Sequence, residues 1–183
     1  MGQFFIVNKP PPKKMTNNPY QTFISQLKNH IRAAQYQALK AVNEQLLGLY
    51  WHIGQQIVQQ QAELGWGKSV VEQMAKDLQH EFPTMSGFSA RNIWLMKRFY
   101  ETYSQNEFLQ PLVAEIGWSH HIVIMEKCKT DLQREFYILM TKKFGWTKNV
   151  LIHQTTTKPT KNTCSIKAIL TKQLPKTIAT KPF

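Results

Sequence analysis

Basic, amide and aromatic side chains gather between Gly87 and Arg98, and these residue types are the ones that contact nucleic acids. Arginine and lysine bind phosphate oxygens, while arginine and asparagine also hydrogen-bond base edges in the major groove. On a helical wheel Arg91, Trp94 and Arg98 project to one side, with Lys97 at its edge. The opposite side is apolar and consists of Ile93, Met96, Phe99, Tyr100 and Tyr103. The pattern predicts a helix that buries one face, and its basic face suits contact with phosphate.

A second interpretation of these side chains is purely structural. Arg91, Lys97 and Arg98 then form an ordinary solvated face, and Trp94 packs beneath a long helix. Spacing alone does not separate the two interpretations.

Catalytic chemistry finds little support in the sequence. Metal-dependent nucleases need clustered carboxylates with a nearby lysine, typically two places after an acid, so that the metal and the attacking water are held together. None of the 11 acidic residues has a lysine two places further on. The eight glycines are scattered and form no GxxxxGK phosphate loop. We therefore expect no catalytic residue and no cofactor.

Histidine and cysteine are metal-ligand types, but their placement here disfavours a metal site. His120 and His121 are adjacent, and neighbouring residues on a helix point about 100° apart, so they do not easily share an ion with Cys128. We expect one of these histidines to pack and the other to face solvent. His52, next to Trp51, is expected to be packed or hydrogen-bonded.

The formal charge of +12 is spread unevenly along the chain. Between Tyr20 and Val150 there are 14 lysines and arginines against all 11 acids, whereas the two flanks hold nine lysines and no acid. A central domain with this balance is only mildly basic, so bulk charge predicts no more than weak, salt-sensitive attraction to phosphate. With 42% hydrophobic residues in 183, the chain is expected to fold as one domain.

The cysteines and the N-terminal residues indicate the cellular compartment of the protein. Cys128 and Cys164 have no CxxC spacing, which argues against a disulfide framework or a zinc site. The opening residues 1–7 have no basic start and only four consecutive apolar residues, too few for a signal peptide or a membrane span. We expect a cytoplasmic protein without membrane contact.

Apolar residues recur at steps of three or four from Tyr20 to Leu64, which is the period of an amphipathic helix. The stripe consists of Ile24, Leu27, Ile31, Ala34, Ala38, Val42, Leu46, Leu49, Ile53 and Ile57. A single helix of this length is unusual in a compact domain, so we expect a break near Asn29 or Gly48. The stripe needs an apolar partner.

Four shorter helices are predicted to begin with a hydrophobic staple, in which an apolar residue before the N-cap packs against position N4. The predicted N-caps are Gly67, Ser89, Ser119 and Thr147, with Val71, Ile93, Val123 and Leu151 at N4. Thr130 and Gln133 form a capping box that begins another helix. A short hairpin is placed between residues 108 and 116.

The helix from 68 to 81, the connection 82–88 and the helix that begins at Ser89 have the layout of a helix-turn-helix unit.

On either side of the domain the composition changes. Residues 1–18 read as a flexible basic, proline-rich tail, and residues 155–183 as a disordered tail rich in threonine and lysine. The folded domain is therefore assigned to residues 19–154.

Several short motifs follow one another in a fixed order and resemble the N-terminal domain of the bacterial YhcG family. The motifs are Ala41–Glu44, Leu49–Gly54, Trp66–Gly67, Phe82–Pro83, Gly87–Asn92, Met96, Phe99–Tyr100, Trp118–His121, Arg134–Tyr137 and Gly145–Trp146. The resemblance implies a winged helix-turn-helix DNA-binding module that precedes a PD-(D/E)XK nuclease domain. After Gln154 the chain departs from the family, so we expect a truncated or frameshifted relative without the nuclease.

The sequence thus predicts a mostly α-helical domain with a long N-terminal amphipathic helix and a helix-turn-helix-like unit. Its expected function is that of a non-catalytic module that binds or targets duplex DNA. The predicted contact residues are Ser89, Arg91, Asn92, Trp94, Lys97 and Arg98. The alternative is a protein-interaction module without nucleic-acid binding, in which the long helix and Trp94 dock a protein partner or a second copy.

Overall fold

A computed structural model describes residues 19–157, and these residues form seven helices and no strand. The helices are α1 Pro19–Leu64, α2 Lys68–Glu81, α3 Ala90–Tyr103, α4 Gln110–Val113, α5 Trp118–Lys127, α6 Asp131–Phe144 and α7 Lys148–Thr157. The predicted mostly helical fold with a long N-terminal helix is confirmed. Of the predicted tails, only residues 155–157 fall in this range, and they continue α7 past the expected boundary at Gln154.

The chain divides into two units, residues 1–39 and residues 40–183. In the first unit the described residues are the N-terminal part of α1, and nearly all of their side chains are exposed. Its exposed large apolar side chains are Tyr20, Phe23, Leu27, Ile31, Tyr36 and Leu39. The second unit contains the rest of α1 and all the other helices.

The predicted break in α1 is wrong, because the helix runs unbroken through both Asn29 and Gly48. One glycine lowers the stability of a helix by only about 1 kcal/mol relative to alanine, which the packing of neighbouring turns offsets. Leu47 and Tyr50, on either side of Gly48, are both buried.

None of the helices in the described range is both long and apolar enough to cross a membrane.

Most of the predicted helix starts are confirmed. Gly67 and Ser89 are the N-caps of α2 and α3, and Thr130 forms the predicted capping box with Gln133. At α7 the Thr147 hydroxyl accepts a hydrogen bond from the backbone N–H of Val150, which is typical of an N-cap.

Two local predictions are wrong. Helix α5 begins at Trp118 with Gly117 as its N-cap, so Ser119 lies inside the first turn. The reason is that the Gly117 carbonyl already accepts hydrogen bonds from the N–H groups of His120 and His121. The hairpin expected between residues 108 and 116 is absent, and the single-turn helix α4 with Pro111 in its first turn occupies this stretch.

Two apolar clusters form the core of the second unit. The first cluster joins α1 and α3 to α4, α5, α6 and α7 through residues such as Leu47, Phe99, Ile124, Ile138 and Leu151. The second cluster lies between α1, α2 and α3 and contains Tyr50, Ile57, Val71, Ala75, Phe88, Ile93 and Met96. Trp118 packs against both clusters.

Helices α1 and α3 approach each other closely at Gly54. A Cβ atom at this position would overlap the Met96 carbonyl oxygen and would lie 3.0 Å from the Cβ of Tyr100. Only glycine permits this approach, because it places no side chain between the two backbones. The contact therefore determines how near α3, which carries the predicted site, lies to α1.

Candidate nucleic-acid interface

The connection between α2 and α3 is held by its own hydrogen bonds. The backbone N–H of Met85 donates to the Phe82 carbonyl at 3.0 Å, and the Gln79 side chain donates to the Phe88 carbonyl at 3.2 Å. Gly87 has a φ of 114°, which glycine adopts without strain. Two 14-residue helices joined by this turn give the predicted helix-turn-helix-like layout. Because residues 19–157 contain no strand, the hairpin wing that the resemblance implies is not found in this part of the chain.

Helix α3 has the two faces that its sequence predicts. Ile93, Met96, Phe99 and Tyr103 are buried, and Tyr100 is half-buried. Arg91 and Arg98 are exposed on the other side. The predicted helix, with arginines on its outer side, is therefore present in the structure.

Asn92 and Ser89 are occupied by contacts within the fold. The Asn92 amide nitrogen donates to the Gly87 carbonyl at 2.5 Å, and its oxygen accepts from the Trp118 indole N–H at 2.9 Å. Burial raises the pKa of Tyr50, and a hydrogen bond with Asn92 partly offsets this rise. The Ser89 hydroxyl accepts from the backbone N–H of Asn92, as an N-cap does. Both side chains position the start of α3.

Trp94 and Lys97 form a small group on the side of α3. Trp94 is half-buried and packs against the cluster between α1, α2 and α3, as the structural interpretation expects. The Lys97 ammonium lies 5.6 Å from the centre of the Trp94 ring and 3.4 Å from a carboxylate oxygen of Glu101. A lysine with both an aromatic and an acidic neighbour is partly neutralised, which weakens its attraction for phosphate.

Arg98 is exposed along much of its side chain, yet its guanidinium is engaged. Nη2 donates a hydrogen bond of 2.6 Å to the Met125 carbonyl in the last turn of α5. A cation at this end of a helix also interacts favourably with the helix dipole. Arg98 thus ties α3 to α5, a role that the helical wheel does not reveal.

Arg91 differs from the other basic residues of α3, because it makes no ion pair or hydrogen bond within residues 19–157. It lines a cleft of about 430 Å³ together with Ser86, Ser89, Trp118 and Lys148. Lys148, the first residue of α7, also has no such partner among these residues. The tertiary fold therefore places two unpaired cations around one concave surface.

Sequence reasoning missed Lys148 as a site residue. A partial signal existed, since the predicted cap at Thr147 puts Lys148 in the first turn of a helix. Nothing in the local pattern indicates that this turn lies beside the start of α3. The same holds for Trp118, which was expected to pack in a staple and which also fixes the Asn92 amide.

Comparison with family models gives a match to the DUF1016 N-terminal domain over residues 26–161, which is most of the chain and nearly all of its helices. The chain belongs to the DUF1016 N-terminal domain family. This is the N-terminal domain to which the YhcG resemblance pointed, and that prediction is confirmed. No curated protein and no solved structure was found that matches the chain.

The DUF1016 domain buries one histidine in a complete hydrogen-bonding environment. His121 Nε2 lies 2.8 Å from the Val113 carbonyl, which only accepts, so Nε2 carries the proton. Nδ1 then accepts from the Tyr103 hydroxyl at 3.2 Å. Burial lowers the pKa of His121 to about 4 and raises that of Tyr103. Both groups are neutral at pH 7 and are hydrogen-bonded inside the core. This confirms the expected packing role of one histidine.

The other candidate ligands of this DUF1016 domain do not converge. His120 is half-buried and donates from Nε2 to the Trp146 carbonyl at 2.8 Å, so the expectation that it faces solvent is wrong. Burial raises the pKa of the Cys128 thiol to about 11, which keeps it protonated. In the described range no group of three or more His, Cys, Asp or Glu side chains is arranged to hold a metal.

A second concave surface of the domain is apolar. It is a groove of about 520 Å³ between α1, α2 and the turn, lined by side chains such as Ile53, Trp66, Met74, Phe82 and Met85. His52 lies at this groove, is exposed and has no hydrogen bond within residues 19–157, so the expectation that it would be packed or hydrogen-bonded is wrong. Of these two concave surfaces, the cleft beside Arg91 is the one whose side chains suit an anion.

Proposed function

We propose that this DUF1016 N-terminal domain is a non-catalytic module that binds or targets duplex DNA through the exposed start of α3. The observation that carries the proposal is Arg91, an exposed arginine without an acidic partner in the first turn of the second helix of a helix-turn-helix-like unit. In such units the N-terminal residues of the second helix approach the major groove.

The six predicted contact residues differ in whether their side chains already have partners inside the domain. Arg91 is free to meet phosphate or a base edge, and Lys148 of α7 adds a second cation beside it. Ser89 and Asn92 shape the start of the helix, while Lys97 and Arg98 have partners inside the domain. We therefore place the main electrostatic contribution on Arg91.

The test is the affinity of the full chain for duplex DNA, measured by fluorescence anisotropy over a salt series. Arg91→Gln is expected to weaken binding about tenfold, since a charge-assisted hydrogen bond contributes about 1.5 kcal/mol. The matched control is Lys76→Gln, which removes an exposed cation from α2 without touching the cleft. Equal affinity of the Arg91 and Lys76 variants would refute the assignment.

A second candidate function, self-association, is favoured by a different observation in the N-terminal unit. Tyr20, Ile24, Leu27, Ile31, Ala34 and Ala38 alternate in steps of four and three, which is the heptad spacing of a coiled-coil seam. Leu27 and Ile31 are 42% and 47% exposed, so apolar area along this seam is open to solvent. The occupant that fits a heptad seam on this helix is the same helix of a second copy.

Light scattering of the full chain tests this candidate. A dimer that becomes a monomer in Leu27→Glu and Ile31→Glu, but not in the off-seam variant Tyr36→Glu, would support self-association. A wild-type chain that stays monomeric at high concentration would contradict it. Adding DNA to both species then separates dimerisation from nucleic-acid binding.

A further inference from the structure

We infer that the cleft between the α2–α3 turn, the start of α3 and the first residue of α7 binds a phosphate group of the nucleic acid. This inference rests on the proposed DNA binding and specifies where one phosphate is held. The cleft measures about 430 Å³, within the range of about 300 to 1,000 Å³ that is typical of ligand sites.

The charges around the cleft favour an anion. Arg91 and Lys148 both line it, and no acidic side chain does. Neither cation has an ion pair among the described residues, so the protein neutralises neither charge. A phosphate between them would interact favourably with both, because a guanidinium binds its oxygens in a fork and an ammonium binds as a point charge.

Neutral donors complete the lining. Ser86 and Ser89 both line the cleft, and each carries a hydroxyl group. The Ser89 hydroxyl uses a lone pair to accept from the Asn92 backbone, so its proton remains available to a phosphate oxygen. A site with two cations and two hydroxyls matches the acceptor-only chemistry of a phosphate.

Part of the cleft wall is formed by a tryptophan whose ring is held by several contacts. Trp118 and Leu95 line it, and the Trp118 indole is held by Asn92 and by edge contacts with Tyr50 and Phe99. A side chain held in this way does not have to be ordered when the ligand binds, which reduces the entropic cost of binding. The cleft volume exceeds that of a phosphate alone, so the attached sugar also has room.

The experiment compares the full chain with Lys148→Gln, Lys148→Arg and the control Lys76→Gln, using one blunt duplex with and without 5′-phosphates. Lys148→Gln is expected to weaken binding several-fold and to lower the slope of log affinity against log salt by about 0.9, as for one lost phosphate contact. Lys148→Arg should retain the wild-type slope, and all variants should keep the wild-type melting temperature.

The two kinds of duplex identify the source of the phosphate. An equal loss on both duplexes assigns the cleft to backbone diesters, and a loss confined to phosphorylated ends assigns it to terminal monoesters. Wild-type affinity and slope in Lys148→Gln would overturn the inference while leaving DNA binding intact.

A separate measurement tests the anion site in the absence of DNA. If the wild-type chain does not bind duplex DNA, orthophosphate is titrated at constant ionic strength and the melting temperature is recorded. A rise that Lys148→Gln and Arg91→Gln abolish supports the anion site without DNA binding. No rise overturns both.

Discussion

The side chain of Asn92 shows how a residue suited to base recognition is used by the fold instead. Its amide joins the Gly87 carbonyl of the turn to the Trp118 indole of α5, and both partners lie within 3 Å. A half-buried amide with two satisfied contacts has little capacity left for a base edge. At the residue scale, the proposed DNA contact therefore depends on Arg91, and the position of the helix start depends on Asn92.

Removing the Asn92 amide should lower stability without removing a charge. Asn92→Ala leaves the Trp118 N–H and the Gly87 carbonyl without partners, which costs about 2 kcal/mol of unfolding free energy. Arg91→Ala, next to it, is exposed and should change the unfolding free energy by less than about 0.5 kcal/mol. Urea denaturation checks both values. Equal stability of the two variants would contradict the positioning role of Asn92.

His121 should make the domain sensitive to acid. Its pKa is lowered to about 4 from an ordinary value of 6.5, so below pH 6.5 the unfolded chain binds a proton that the folded chain rejects. The contribution of the neutral histidine is complete above pH 6.5 and is lost as the pH falls toward 4. The loss amounts to about 3 kcal/mol.

Urea denaturation between pH 7 and pH 4.5 tests this dependence. In His121→Gln the amide can still donate to the Val113 carbonyl, and the part of the pH dependence due to His121 should disappear. His52→Gln, at an exposed position, should keep the wild-type profile. Parallel profiles for wild type and His121→Gln would show that the buried histidine is not responsible.

At the scale of the elements, the contact between α1 and α3 controls the geometry of the site. Gly54 lets the two backbones approach, and the buried face of α3 packs beside it. Arg91 lies at the N-terminal end of this same helix. Any change that separates α1 from α3 should therefore disturb the cleft as well as the core.

Two glycines of α1 form a matched pair for testing this contact. Gly54→Ala forces a methyl group into the α3 backbone and should lower the unfolding free energy by at least about 2 kcal/mol. Gly48→Ala meets no atom within 4 Å and should raise it by about 0.5–1 kcal/mol, because alanine favours the helix. Thermal unfolding distinguishes the two signs, and a tolerated Gly54→Ala would disprove the close approach.

At the scale of the whole molecule, most of the net positive charge lies outside residues 19–157. Residues 19–157 contain 14 basic and 11 acidic residues, whereas residues 1–18 and 158–183 together contain nine lysines and no acid. Such lysines attract any polyanion and contribute no shape recognition. If the proposed function holds, the DNA affinity of the full chain is therefore the sum of a local contact and a diffuse electrostatic one.

Replacing the nine flanking lysines with glutamine should separate these contributions. Affinity for duplex DNA should fall, and its salt dependence should become shallower by about 0.9 for each phosphate contact that is lost. The remaining binding should still weaken in Arg91→Gln. Anisotropy titrations at several salt concentrations measure this, and complete loss of binding without the flanking lysines would show that the helical domain contributes nothing.

The sequence by itself determined the features that depend on short-range interactions. The amphipathic period of α1, the capping box at Thr130, the N-cap at Ser89 and the two faces of α3 all follow from residues within a few turns of one another. The order of motifs was enough to indicate the family. Gly117 and Ser119 were alternative N-caps of α5. The prediction of Ser119 failed because the carbonyl of Gly117 accepts the first hydrogen bonds of the helix.

Only the tertiary structure decided which polar groups meet across helices. The pairing of Arg98 with the Met125 carbonyl, the Asn92 contact with Trp118 and the position of Lys148 beside Arg91 join residues from different helices. Helical periodicity specifies which side of a helix is apolar but not which neighbour covers it. The candidate site is therefore a product of packing, although local sequence places Arg91 and Lys148 in the first turns of their helices.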